Sequence, residues 1–257
     1  MIGTMHAAVA WEKYRKHLLA LRKYRALLHT YQNQTVFLPD KNTGAFWDDI
    51  FAQQPGVFPM ESWRIQTIAR LVDCTKSILN LGVGRGDLET LLLKQSLTLD
   101  YLGTDIAPKT VVYLKQKFPT LHFQEAKLQA LSPKKNQFDQ ILLLEVLEHI
   151  KQNETFALLK HIYQLTKPGG AFIVSVPVNE GLEQMLPINP NSHMRLYSEE
   201  LLSFELRVVG FNISKIYRAS AFSRQFNLKQ RLNSFWRFRQ PNNIVVVARK
   251  PLPHSAD

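Results

Sequence analysis

Ser77-Ile78-Leu79-Asn80-Leu81 runs straight into Gly82-Val83-Gly84-Arg85-Gly86, and Leu88, Leu91 and Leu92 then recur at helical spacing. Glycine at alternate positions is needed where a backbone turns sharply and where a ligand must lie against bare main chain. A strand, a glycine turn and a helix start in that order build a nucleotide-type pocket at the carboxyl edge of a parallel sheet. Asp87 stands where a dinucleotide-binding turn needs its third glycine, so the loop predicts a pocket but not a hydride carrier.

From about residue 61 strand and helix patterns alternate, which predicts βαβ units. Strands read at 77–82, 99–105, 121–126, 138–145, 170–177, 211–218 and 243–249, and helices near 61–72, 87–95, 108–117, 154–166 and 198–208. Pro108 suits a first helical turn, and Lys167-Pro168-Gly169-Gly170 predicts a stop before a buried strand. Ser198 followed by Glu199 and Glu200 predicts a capped helix start. Outside this alternation lie a helical extension at 1–60 and two long connections, 178–197 and 219–242. Connections of that length in a domain are usually functional or mobile.

At 257 residues the chain fits one α/β domain with an extension. Cys74 is the only cysteine, which excludes an intrachain disulfide and suits a reducing, cytoplasmic setting. No apolar run approaches the ~20 residues of a membrane span. The net charge of +11 is carried by the two ends. Residues 1–30 hold six Lys/Arg against Glu12, and residues 207–250 hold ten without one acid.

Acidic residues recur at successive strand ends. Asp105 closes the second strand, where a carboxylate can accept hydrogen bonds from ribose hydroxyls and Ile106 can pack on a purine face. It can equally cap the helix that opens at Pro108. Glu125-Ala126 ends the third strand and Glu145 the fourth. Polar groups thus converge on one crevice, as expected at the switch point of an open α/β sheet.

This ordered set resembles the class I S-adenosylmethionine-dependent methyltransferases over roughly residues 60–250. Asn80-Leu81-Gly82-Val83-Gly84-Arg85-Gly86 is similar to that family's first motif, although Asn80 stands where the motif usually opens with an acid. Asp105 matches the ribose-binding acid, and Glu125-Ala126, with Glu in place of the more usual Asp, matches the adenine contact. Phe138-Asp139 through Glu145 matches the fourth motif, and Lys167-Pro168-Gly169-Gly170 precedes the fifth strand as in many members. His193-Met194-Arg195-Leu196-Tyr197-Ser198 is similar to the approach to the last helix. The resemblance is to the small-molecule branch that includes quinone-biosynthesis O-methyltransferases. It implies a seven-stranded Rossmann-like sheet, parallel with one antiparallel strand in its edge region and flanked by helices. It also implies S-adenosyl-L-methionine held by Asn80, Gly82, Gly84, Gly86, Asp105, Ile106, Glu125, Ala126 and Glu145.

On the acceptor side the candidates are Glu145, His149 and His193. Glu145 and Glu148 or His149 share one face if that stretch is helical, and with His193 they would suit a divalent metal. RNA-end ribose methyltransferases carry a comparable arrangement. The alternative is that Glu145 lines a pocket while Glu148-His149 form a polar turn, with no metal. His149 also suits a general base for a hydroxyl acceptor. The N-terminal stripe Trp11, Tyr14, Leu18, Leu21 and Leu28 reads as a lid, or as a membrane or partner helix. The basic aromatic segment 219–242 reads as a grip on phosphates or lipid headgroups, or as a solvated loop. Three functions follow: a methyltransferase for a small-molecule or lipid-phase acceptor, an RNA methyltransferase, or a catalytically silent cofactor-binding protein.

Overall fold

Seven stretches rich in Ile, Val, Leu and Phe pair into one sheet in the computed structural model of the chain, which describes residues 41–53, 58–126, 136–180, 192–222 and 225–253. These residues divide between two compact units. One comprises Lys41–Glu180 with Met194–Asp257, and everything below belongs to it. Of the other, Met1–Asp40 with Gly181–His193, only Ser192 and His193 are described. The stripe from Trp11 to Leu28 therefore lies outside the described residues.

The strands are β1 (Ile78–Leu81), β2 (Tyr101–Asp105), β3 (His122–Glu125), β4 (Phe138–Leu144), β5 (Thr166–Pro177), β6 (Asn212–Ala219) and β7 (Asn243–Arg249). Their order is β3-β2-β1-β4-β5-β7-β6. β7 runs antiparallel to both its neighbours and the remaining pairings are parallel, as the resemblance implies. The chain steps outward from β1 to β3 and then returns to place β4 on the other side of β1. That reversal opens a crevice at the carboxyl edge of β1 and β4.

Seven helices are described: α1 (Gly44–Gln53), α2 (Pro59–Leu71), α3 (Asp87–Gln95), α4 (Pro108–Lys117), α5 (Gln152–Leu165), α6 (Glu199–Val208) and α7 (Phe226–Trp236). Successive side chains of a strand point to opposite faces, so each central strand feeds two cores. Leu79, Leu81, Ile141 and Leu143 pack with Leu158, Ile162, Leu202 and Leu206 of α5 and α6. Ile78 and Leu142 pack on the other face with Ile68, Leu92, Val111 and Leu114 of α2, α3 and α4.

Local signals worked where their partner lies close in sequence. Pro108 opens α4, and Ser198 Oγ accepts from the Leu201 amide at 3.1 Å to cap α6. Two expectations are corrected. Lys167-Pro168-Gly169-Gly170 does not separate helix from strand, because β5 already begins at Thr166, which pairs with Phe138 ahead of a register shift. The connection 219–242 is not simply a loop, since α7 forms within it.

Candidate active site

The glycine turn adopts the backbone its residues were expected to supply. Gly82 and Gly86 sit at φ +80° and +74°, in the left-handed region that side chains disfavour. A Cβ at Gly82 would lie 2.5 Å from Val146, and one at Gly86 2.4 Å from the Phe118 ring. The turn is tied to β2 through its backbone. The Gly82 amide donates to the Thr104 carbonyl at 2.8 Å, and the Gly84 amide donates to Asp105 Oδ2 at 2.9 Å.

Asp105 is buried, and burial raises its pKa against the pull of the backbone amides it accepts from. Its other oxygen accepts from the Ala107 amide at 3.0 Å. The Ile106 amide also bonds this carboxylate, and of its roughly four lone-pair sites one remains to accept from a hydroxyl. Pro108 has no N–H, and the two amides that follow it do not depend on Asp105. Asp48 of α1 caps α4 from a distance in sequence, with Oδ2 accepting from the Lys109 amide and Oδ1 from the amide and hydroxyl of Thr110. Ile106 is half-buried, Glu125 is exposed, and Ala126 is half-buried and donates its amide to the Asp105 carbonyl.

Asn80 points to the same face of β1 as Ile78, toward α3. There its Nδ2 donates to Glu89 Oε1 at 2.8 Å, and the Tyr101 hydroxyl donates to the same oxygen. The acid that the first motif usually carries on the strand thus stands on the following helix, against an amide. Burial raises the Glu89 pKa, although donors from Tyr101 and Asn80 pull it down. Sequence reading missed Glu89, because an acid in a first helical turn normally faces solvent and the dipole. Within this cluster Asn80 Oδ1, Glu89 Oε2 and Thr104 Oγ1 remain as buried acceptors beside the turn. Positive-φ glycines without room for side chains, a strand-end carboxylate with a free lone pair and unused buried acceptors fit a nucleoside-linked amino acid.

Glu145 follows β4 at φ +54°, a left-handed conformation that is uncommon for a residue with a side chain. Its carboxylate accepts from Ser175 Oγ at 2.7 Å, from Asn243 Nδ2 at 2.9 Å to both oxygens, and pairs with Arg64 Nη1 at 3.0 Å. It therefore links α2, β4, β5 and β7. The shared helical face expected for Glu145, Glu148 and His149 does not form. Only a 3-10 turn over Leu147–His149 is helical, and Glu145 stands outside it.

Glu148 is buried, and burial together with the nearby Glu145 carboxylate pushes its pKa well up. His149 packs edge-on against Trp47 of α1 at 4.7 Å, with Nε2 3.9 Å from Glu148 Oε1. His193 belongs to the other unit. Just beyond it, Arg195 is buried and donates to Thr155 Oγ1 at 2.9 Å, to the Tyr197 hydroxyl at 2.6 Å and to Glu205 Oε1 at 2.5 Å. That network holds the segment before α6 onto α5 and gives Arg195 and Tyr197 a structural role.

A cleft of about 690 Å³ opens beside the ends of β5 and β6, walled by Trp63, Tyr217, Arg218, Arg231, Arg237 and Arg239 among others. β7 is antiparallel to both strands, so their carboxyl ends lie at one edge with the glycine turn. β4 lies between, placing the Glu145 knot between turn and cleft.

A family model described as a methyltransferase domain matches residues 37–216. A ubiquinone biosynthesis O-methyltransferase of Cereibacter sphaeroides is 29% identical over 102 residues, which cover 38% of this chain and 40% of that protein's length. The N-methyltransferase NodS of Bradyrhizobium japonicum, solved in complex with S-adenosyl-L-homocysteine, superposes with a TM-score of 0.62 at 14% identity, covering 82% of this chain and 99% of that one. An S-adenosylmethionine-dependent methyltransferase from Archaeoglobus fulgidus gives 0.56 at 18% identity, over 74% and 94% of the two chains. At such identities these structures share the fold.

Proposed function

We propose, from the premise that this chain belongs to the methyltransferase-domain family and works with S-adenosylmethionine, that it transfers a methyl group to an oxygen of a small-molecule or lipid-phase acceptor. The observation that carries the acceptor class is the open cleft of about 690 Å³, which combines Trp63 and Tyr217 with arginines on the same sheet edge as the glycine turn. The partial likeness to ubiquinone biosynthesis O-methyltransferases supports the same class.

S-adenosylmethionine, when bound, supplies an electrophilic methyl on a sulfonium. The chain's own residues then orient and exclude. Gly82, Gly84 and Gly86 present bare backbone, Asp105 offers its remaining acceptor lone pair to a hydroxyl, and Ile106 with Glu125-Ala126 borders the base. Glu145 acts as an anchor: with its oxygens held by Arg64, Ser175 and Asn243, it fixes the wall between cofactor and acceptor. His149 would take the proton of the acceptor hydroxyl as the methyl–sulfur bond breaks and the oxygen–methyl bond forms, the sulfonium leaving as a neutral thioether. The Glu148 carboxylate, when ionised, offsets the charge gained by the imidazole. Most of the rate enhancement comes from positioning two reactants in a water-poor site.

Incubation with methyl-labelled cofactor and fractionated cell extract tests this. Label entering the organic-soluble fraction supports the reading. Label confined to RNA overturns the acceptor class, and cofactor binding without transfer to any fraction overturns the enzyme.

A further inference from the structure

The helix α7 is inside out. Its buried positions are Phe226 and the polar Gln230 and Asn233, whereas Leu228, Phe235 and Trp236 are 55%, 77% and 72% exposed. Leu228, Leu232 and Phe235 recur at i, i+4 and i+7, the spacing of an apolar stripe; its two ends face outward and Leu232 between them is half-buried. Phe238, just past the helix, is 59% exposed.

The polar side chains inside are fully engaged, so this sidedness is built into the fold. Gln230 accepts from the Ser220 amide at 3.0 Å and donates to the Arg218 carbonyl. Asn233 accepts from the Arg239 amide at 2.8 Å and donates to Ser220 Oγ and to the Arg239 carbonyl, both at 2.9 Å. The turn that follows is clamped as well. Arg237 closes the helix in a left-handed conformation, and the Arg239 guanidinium stacks 5.2 Å over the buried Phe222 ring, which also meets Phe238. A rigid scaffold thus holds three aromatic rings and a leucine in solvent.

Water is a costly environment for such a group, and ordered apolar patches of this kind mark interaction sites. The surrounding charge selects the partner. Lys229, Arg231, Arg237 and Arg239 flank the rings, in a stretch from Arg207 to Lys250 that has ten cations and no acid. Aromatic rings that lead with arginines beside them suit the boundary of an anionic bilayer, where rings enter the acyl edge and guanidiniums meet phosphates.

We propose that α7 and the turn through Arg239 form a docking surface for an anionic phospholipid membrane. Arg231, Arg237 and Arg239 also line the cleft. If the acceptor lives in the lipid phase, docking brings the cleft mouth to it, and this last step alone rests on the function proposed above.

The test is co-sedimentation of the full chain with sucrose-loaded vesicles of phosphatidylcholine containing roughly 30% phosphatidylglycerol, compared with phosphatidylcholine alone. Anionic vesicles should bind at least about tenfold more tightly, with an affinity that falls as salt rises. Phe235→Ser with Trp236→Ser should lower that binding about tenfold without lowering the melting temperature, because neither ring packs inside. Arg231→Gln with Arg237→Gln should abolish the preference for anionic lipid. Equal binding to both vesicles overturns the proposal, as does undiminished anionic binding by the serine variant. A short single-stranded RNA that displaces the vesicles, and whose own binding needs the arginines but not the rings, would make this a nucleic-acid surface instead. Methyl transfer is not read, so failure here leaves the proposed reaction standing, and a failed reaction leaves this surface standing.

Discussion

Asn80 Nδ2 lies 2.8 Å from Glu89 Oε1, joining the strand before the glycine turn to the helix after it through two fully buried side chains. The pairing explains how the first motif tolerates an amide where an acid is usual, because the carboxylate has moved to the neighbouring helix. Its cost is a charge taken out of water.

Burial raises the Glu89 pKa above its unfolded value, so the associated stability is complete below the unfolded pKa near ~4.3 and declines as pH rises toward the folded value. Glu89→Gln keeps the oxygen that Asn80 and Tyr101 donate to and removes the charge. It should raise the melting temperature at neutral pH by roughly 3–6 °C, with the advantage gone near pH ~4. Asn80→Asp should do the opposite, by setting two buried acids together. Thermal melts across pH decide this, and a Glu89→Gln protein less stable at neutral pH would refute the account.

Gly86→Ala should cost about 2–4 kcal/mol, since a left-handed backbone and a Cβ 2.4 Å from Phe118 and 2.8 Å from Leu114 act together. Gly84→Ala meets nothing closer than the Phe51 ring at 3.5 Å, and should cost only about 1 kcal/mol. Denaturant titration of the pair measures the difference. Equal losses would mean that contact plays no part.

Arg195→Met should destabilise by about 3–5 kcal/mol, because it leaves Glu205 buried without its cation. Adding Glu205→Gln should recover at least half of that. A double-mutant cycle on equilibrium unfolding reports the coupling, and simple additivity of the two changes would contradict the network.

Asp139 accepts from Lys167 Nζ at 2.8 Å and Ser77 Oγ at 2.6 Å, and these bonds hold its pKa down to about 2. A depressed acid contributes stability that is complete above the unfolded pKa and lost as pH falls through the folded one, here between ~4 and about 2. The pair is partly exposed, so solvent screening reduces its worth to about 1 kcal/mol. Asp139→Asn should therefore lower stability near neutrality and converge with the parent protein in acid. A deficit that persists at pH ~2 would assign the loss to packing instead.

His149→Gln should lower the rate of methyl transfer about 100-fold while leaving cofactor affinity within about twofold, if the imidazole takes the acceptor proton. Single-turnover rates beside calorimetric binding separate the two. A proportionate fall in cofactor affinity would instead make His149 part of the cofactor wall, through its contact with Trp47.

How much of this was legible in the sequence depended on how far each residue's partner lies along the chain. The β1 turn, the Pro108 start and the Ser198 cap are local, and the pattern announced them. Glu145 was visible as a strand-end acid, but its partners Ser175 and Asn243 come from strands 30 and 98 residues away. The α7 helix escaped because hydrophobic periodicity assumes that apolar residues go inward, whereas here Gln230 and Asn233 do. Glu89 escaped for the converse reason, an acid hidden where acids usually show.

Asp48 closes the start of α4 with three hydrogen bonds across more than 60 residues of sequence. A cap donated from so far away makes two segments share one unfolding equilibrium. Melting α1 strips the amides that begin α4, and loosening α4 frees the side chains that wedge against Gly86. Order in the glycine turn is therefore sustained partly from upstream of the sheet, and a chain shortened to begin at α2 would carry that turn without its counterweight.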